Sequence, residues 1–97
     1  MIVDVRNQVI YWIALVDSDN SYELMKTYYN MTTKVVRRYL PPITGIAIAQ
    51  STKYLYVLSP TKSEVDKIDK ETEELLETFN VQTFAKQIVV ANGKYFA

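Results

Sequence analysis

The sequence predicts an all-β fold of repeated four-stranded antiparallel units, about two of them followed by a terminal hairpin. Three observations predict it. First, Thr52–Phe79 reads as a series of strands and turns. Lys53–Leu58 is a run of Tyr, Leu and Val, Pro60–Ser63 is a turn, and Val65–Asp69 and Leu75–Phe79 are further short strands. Second, three ten-residue segments align without gaps: IVDVRNQVIY from Ile2, AIAQSTKYLY from Ala47 and IVVANGKYFA from Ile88, at spacings of 45 and then 41 positions. Each is a pair of β-prone runs around a short polar break, the pattern of a hairpin. Third, a second pair of strands lies between successive hairpins. Residues 1–97 are therefore read as a single β-repeat domain, with units at about 1–44 and 45–85 and a partial third hairpin at 86–97.

In chain order, Ile2–Val5 and Val9–Ile13 flank the break Arg6-Asn7-Gln8. Tyr22–Tyr29 carries the alternating run Tyr22, Leu24, Lys26, Tyr28, Asn30–Thr33 turns, and Lys34–Leu40 is a strand. Pro41-Pro42 cannot continue a ladder and links the first unit to the next. Ala47–Gln50 and Lys53–Leu58 form the second hairpin around Ser51-Thr52. Glu64–Asp69, the turn Lys70–Glu73 and Glu74–Asn80 complete the second unit, with Val35-Val36 matching Leu75-Leu76 and Tyr39 matching Phe79. Ile88–Ala91 and Lys94–Phe96 flank Asn92-Gly93, a strong hairpin-turn dipeptide. One segment has a second reading. Val65, Ile68, Thr72, Leu75, Leu76 and Phe79 also fall at helical spacing, and Ser63 could cap such a helix. The repeat assigns strands here, because the counterpart Tyr22–Tyr39 is rich in Tyr, Thr and Val; a helix over Ser63–Phe79 would make the fold α+β. Four strands recurring at roughly 40–45 residues is the pattern of propeller blades.

The residues then resemble a known family. Gly45–Val57, GIAIAQSTKYLYV, is similar to the YVTN-type β-propeller repeat, which pairs a G-I-A-hydrophobic strand with a K-Y-L/V-Y-V strand. Val65–Asp69, Lys70–Glu73 and Glu74–Phe79 track the rest of that repeat, as does Lys34–Tyr39 in the first unit. Two features depart from it. Glu73, and Thr33 in the first unit, stand where the repeat has a turn glycine, and Gln50-Ser51-Thr52 stands for its Pro-Asp-Gly turn. The resemblance implies a propeller-like fold used as a surface-layer protein, a binding platform or occasionally an enzyme. Closed propellers need about four to eight blades. Two units and a hairpin then imply a segment of a longer polypeptide, assembly with copies or partners that supply strands, or a small open β-structure capped by its end hairpins.

Composition narrows the chemistry. Eleven Lys and Arg balance eleven Asp and Glu, so no global field points to nucleic acid. Arg37-Arg38 beside Tyr39 is too small a basic patch to change that. Charge is nevertheless uneven: Arg6, Arg37 and Arg38 lie in residues 1–62, while Glu64–Glu77 is acid-rich and reads as a solvated face. With no cysteine there are no disulfides or thiolate sites, and with no histidine the commonest general base and transition-metal ligand is missing. No apolar run is long enough to span a membrane.

The site candidates follow. Asp4, Asp17 and Asp19 are the carboxylates nearest strand ends. Asp17-Ser18-Asp19-Asn20 is oxygen-rich but lacks the glycine and distal glutamate of an EF-hand loop, so it reads as a polar turn. Asp66 and Asp69 read as solvent-face and turn residues. Trp12, Tyr22, Tyr28, Tyr54 and Tyr56, in a group with Tyr29 and Tyr39, are the candidates for a ligand-binding surface that stacks sugars, another small ligand or single-stranded nucleic acid. Tyr54 and Tyr56 fall on one strand face and Leu55 and Val57 on the other, so about half of the rings are expected in the core. Asn30-Met31-Thr32 is a glycosylation sequon on a turn and, like the resemblance, points toward an extracellular or cell-surface setting, with a cytoplasmic one left open.

The expectation is a non-catalytic structural or protein-interaction module that self-associates, or takes strands from a protein partner, through its sheet edges. The alternative is a carbohydrate- or small-ligand-binding module using the tyrosine-rich surface. A propeller-class enzyme would need convergent acids or a metal, and no such cluster or cofactor motif is legible.

Overall fold

The computed structural model describes residues 1–16, 18–40, 45–81, 87–91 and 94–96. Asp17, the Pro41-Pro42 link and the Asn92-Gly93 turn lie outside the described residues. The chain divides into two units, Met1–Ile43 and Thr44–Ala97. The expected third hairpin belongs to the second of these.

In the first unit, β1 (Ile2–Asp4), β2 (Val9–Val16), β3 (Ser21–Tyr28) and β4 (Thr33–Tyr39) form one antiparallel sheet in chain order. In the second, β5 (Ala47–Gln50), β6 (Tyr54–Ser59), β7 (Glu64–Asp69) and β8 (Leu75–Asn80) do the same, and β9 (Val89–Ala91) pairs with β10 (Lys94–Phe96) as a separate hairpin. No helix occurs among the described residues, so the α+β alternative is set aside: Ser63–Phe79 is β7, a turn and β8. The helical spacing there has a local cause. β8 carries apolar side chains at Leu75, Leu76 and Phe79, and a bulge between the Lys67 and Ile68 pairings breaks the strict alternation.

That bulge has a twin. Leu24 pairs with Arg37 and Met25 with Val35, leaving Val36 as the extra residue; Lys67 pairs with Glu77 and Ile68 with Leu75, leaving Leu76. The expected match of Val35-Val36 with Leu75-Leu76 is therefore a shared backbone device. The hairpins agree less well. Asp4 pairs with Val9, Gln50 with Leu55 and Ala91 with Lys94. The gapless alignment sets Ile2 against Ala47 and Tyr11 against Tyr56, yet Tyr11 pairs with Ile2 while Tyr56 pairs with Ala49. The ladder of the second hairpin is thus shifted by two residues against the ten-residue alignment, and a shift of two keeps every residue on its face, so Asp4 and Tyr11 in the first hairpin and Ala49 and Tyr56 in the second are all buried.

In the first unit the buried strand residues fall largely on one face. Asp4, Val9, Tyr11, Leu24 and Tyr39 are buried, and cross-strand pairing puts them on the same side. The second unit is buried on both faces of β6 and β7. Tyr56, Leu58 and Val65 lie on one face with Ala49, and Ile88 packs onto that cluster with Ala47, Tyr54, Val81 and Val90 at its margin. Leu55, Val57, Ser59, Asp66 and Ile68 are buried on the other face. This explains why Lys53–Leu58 reads as a continuous apolar run rather than an alternating one.

With two glycines in the chain, the turns use other residues at left-handed positions. Gly45 itself has φ +67. Gln8, Asn20, Met31, Ser63 and Glu73 also have positive φ, and of these only Asn20 and Ser63 are of the small polar types common in turns. In the β3–β4 turn the left-handed residue is Met31, while Thr33, read from the resemblance as the replaced glycine, begins β4. Left-handed geometry disfavours a side chain by roughly 1–2 kcal/mol, while glycine loses more entropy on folding. Glu73→Gly is therefore expected to raise stability by about 0.5–1 kcal/mol, read as a higher midpoint in thermal unfolding. A lower midpoint would show that the Glu73 side chain contributes more than its backbone geometry costs.

Candidate functional site

The candidate aromatic residues do not share one surface. Trp12 pairs with Met25 and so lies on the opposite sheet face from Tyr22 and Tyr28, which stand across from Leu15 and Val9. Its indole Nε1–H donates to Thr27 Oγ1 (2.9 Å), and Thr27 Oγ1 lies 3.0 Å from Thr33 Oγ1, so the ring is tied across β2, β3 and β4. Tyr22 and Tyr28 are half-buried on one face, with Lys26 between them along β3. The Lys26 ammonium sits 5.0 Å from the Tyr28 ring centroid and 5.9 Å from that of Tyr11. Tyr54 is half-buried under Lys67 Nζ (4.2 Å), while Tyr56 on the same face is buried in the core cluster. Of the seven rings grouped in the sequence, Tyr39 and Tyr56 are buried, Tyr29 is exposed and the other four are half-buried, fewer in the core than the half expected; Tyr11, outside that group, is also a core ring.

The carboxylates are held by local polar bonds. Asp4 is buried, and Asn7 donates to it twice, through its backbone N–H (3.2 Å) and its side-chain amide (2.8 Å). Asp66 is buried rather than on a solvent face; it pairs with Thr78, whose hydroxyl donates to its Oδ1 (2.9 Å). Asp69 is a turn residue as expected, its Oδ1 accepting the backbone N–H groups of Glu71 (2.8 Å) and Thr72 (3.0 Å). Those N–H donors, Thr72 first, lower its pKa. Asp19 accepts from the Ser21 hydroxyl (2.7 Å) and backbone N–H (3.1 Å) and forms an ion pair with Arg38. Ser21 hydrogen bonds, more than the Arg38 charge, lower its pKa. Arg38 also donates to Ser21 Oγ from Nε (3.3 Å) and Nη2 (3.2 Å). Asp19 is therefore part of a clasp between the β2–β3 turn and β4.

A carboxylate whose pKa is lower folded than unfolded adds stability above its unfolded pKa, and that contribution is lost as pH falls through the folded value. Acid titration is therefore expected to destabilise the chain through and below the ordinary carboxylate range. Asp19→Asn should make that loss shallower. An unchanged acid limb in pH-dependent unfolding would remove Asp19 from the account.

Two polar contacts had no signal in the sequence. Lys70 is buried and its ammonium donates to Gln50 Oε1 (2.7 Å), twenty positions away. Arg38 reaches Asp19 across a sheet, a contact that becomes legible only once β3–β4 pairing is known. Asn30 is exposed in the β3–β4 turn, with Oδ1 accepting the Thr32 N–H (3.1 Å), so the sequon lies at the surface.

The remaining surface feature is the sheet edges. β4 and β8 each end a four-stranded sheet, and both are mostly exposed. Val35, Leu75 and Leu76 are exposed apolar residues on them, as are Val3 on β1 and Val89 on β9. What fold and site define is a class: an all-β chain of four-stranded antiparallel sheets with apolar residues along its edges. No family model, no curated protein and no solved structure matches this chain. No helix among the described residues is long and apolar enough to cross a membrane.

Proposed function

We propose that this chain is a non-catalytic structural or protein-interaction module, a propeller-like β-repeat that associates through its sheet edges with copies of itself or with a protein partner. The supporting observation is the exposure of Val35, Leu75 and Leu76 along β4 and β8. A strand edge presents a row of peptide donors and acceptors, and apolar side chains beside it favour pairing with another chain. The lack of His and Cys in the sequence agrees with a non-catalytic role. The exposed Asn30 sequon supports an extracellular or cell-surface setting. Val35→Asp and Leu76→Asp are expected to weaken association, read by sedimentation, while Tyr22→Ala leaves it unchanged. Association insensitive to both edge substitutions would count against this reading.

One observation favours a second reading, a carbohydrate- or small-ligand-binding module. Tyr22, Lys26 and Tyr28 are half-buried on the face that carries the buried Val9, Tyr11, Leu24 and Tyr39, and rings beside a cation suit a polar ligand with an apolar face. On that reading Tyr22→Ala and Tyr28→Ala abolish glycan-array or calorimetric binding, and the edge substitutions do not.

A further inference from the structure

We propose that the partner is a second copy of this chain and that the contact is heterologous, β4 of one copy pairing antiparallel with β8 of the next. This rests on the edge-association reading above and makes it specific. β4 and β8 carry one pattern with opposite charge. Lys34-Val35-Val36-Arg37 corresponds to Glu74-Leu75-Leu76-Glu77, in which Leu75–Glu77 begin β8 and Glu74 immediately precedes it. The correspondence is structural, because Val36 and Leu76 are the extra residues of the matching bulges. All eight are exposed except Val36, which is half-buried. Laid antiparallel, Lys34 stands opposite Glu77, Val35 opposite Leu76, Val36 opposite Leu75 and Arg37 opposite Glu74.

Charge decides which edges pair. Cross-strand opposite charges are favourable and like charges directly opposite are not. Pairing β4 with β4 sets Lys34 and Arg37 against their own kind, and pairing β8 with β8 does the same with Glu74 and Glu77. Only the unlike pair satisfies both charges and both apolar positions. The same residues thus attract one edge and repel the alternatives, the combination that specific pairing requires. A contact between two different surfaces of one chain leaves a β4 edge at one end and a β8 edge at the other. Assembly then continues until a ring closes or a filament grows.

The test uses two charge-reversed proteins, Lys34→Glu/Arg37→Glu and Glu74→Lys/Glu77→Lys, with circular dichroism to confirm that each keeps its β spectrum. The first has two acidic edges and the second two basic edges. Each alone is expected to associate at least about tenfold more weakly than the native chain, the equivalent of roughly 1.4 kcal/mol. An equimolar mixture should regain association, with the two proteins alternating. Native association that survives both reversals, or a mixture that stays dissociated, overturns the β4–β8 contact while leaving an edge-associating module standing. A native chain that is monomeric at every concentration overturns the β4–β8 contact together with all self-association, and leaves edge pairing with a different protein partner as the remaining form of the module.

Discussion

Tyr56→Ala is expected to destabilise the protein by about 3–5 kcal/mol, the cost of emptying a buried aromatic site. Tyr56 is 4% exposed and packs with Ala49, Leu58, Val65 and Ile88, the last of these reaching it from beside the β9–β10 hairpin. Stabilities of small domains are about 5–15 kcal/mol, so this single change removes a large share. Tyr22→Ala, on a half-exposed ring, should cost far less. Urea unfolding of the two variants separates the roles. If Tyr56→Ala matched the native chain in stability, the core of the second unit would be wrongly drawn. Loss of ligand binding on replacing Tyr56 would not by itself make it a contact residue, because the core around it goes too.

Leu24→Ala is the corresponding change in the first unit, with an expected cost of about 2–5 kcal/mol. Leu24 is 0% exposed, pairs with Ile13 and Arg37, and sits beside the bulge of β4. A residue next to a bulge has irregular neighbours on one side, so relaxation into the cavity decides where in that range the value falls. Val35→Ala, one pairing away and exposed, is the matched control and should change stability by no more than about 0.5 kcal/mol. Equal effects of the two would contradict the assigned register of β3 and β4.

Much of the fold was legible because strand composition and period act locally. Tyr22, Leu24, Lys26 and Tyr28 alternate in sequence and share a face in the sheet. Val35-Val36 and Leu75-Leu76 matched by pattern and match again as bulge neighbours. What stayed hidden depends on pairings between distant residues. The hairpin register differs by two residues, an offset that leaves every side chain on its own face, so the alternation of β-formers does not record it. Asp66 reads as a solvent residue from the repeat, and only its place opposite Thr78, in a strand buried on both faces, makes it a core carboxylate. The aromatic candidates were grouped by residue type. Period-two geometry then separates Trp12 from Tyr22 and Tyr28, because the positions they pair with fall on alternate sides. The opposite charges of β4 and β8 were present in the sequence, and the shared bulge supplies the alignment that sets them side by side.

The central claim is self-association through sheet edges, and the direct measurement is the solution mass of the native chain by light scattering behind size exclusion, across a wide concentration range and at low and high salt. A mass above that of one chain, rising with concentration and falling with salt as edge charges are screened, is the predicted result. A single well-folded chain at every concentration and salt would contradict it.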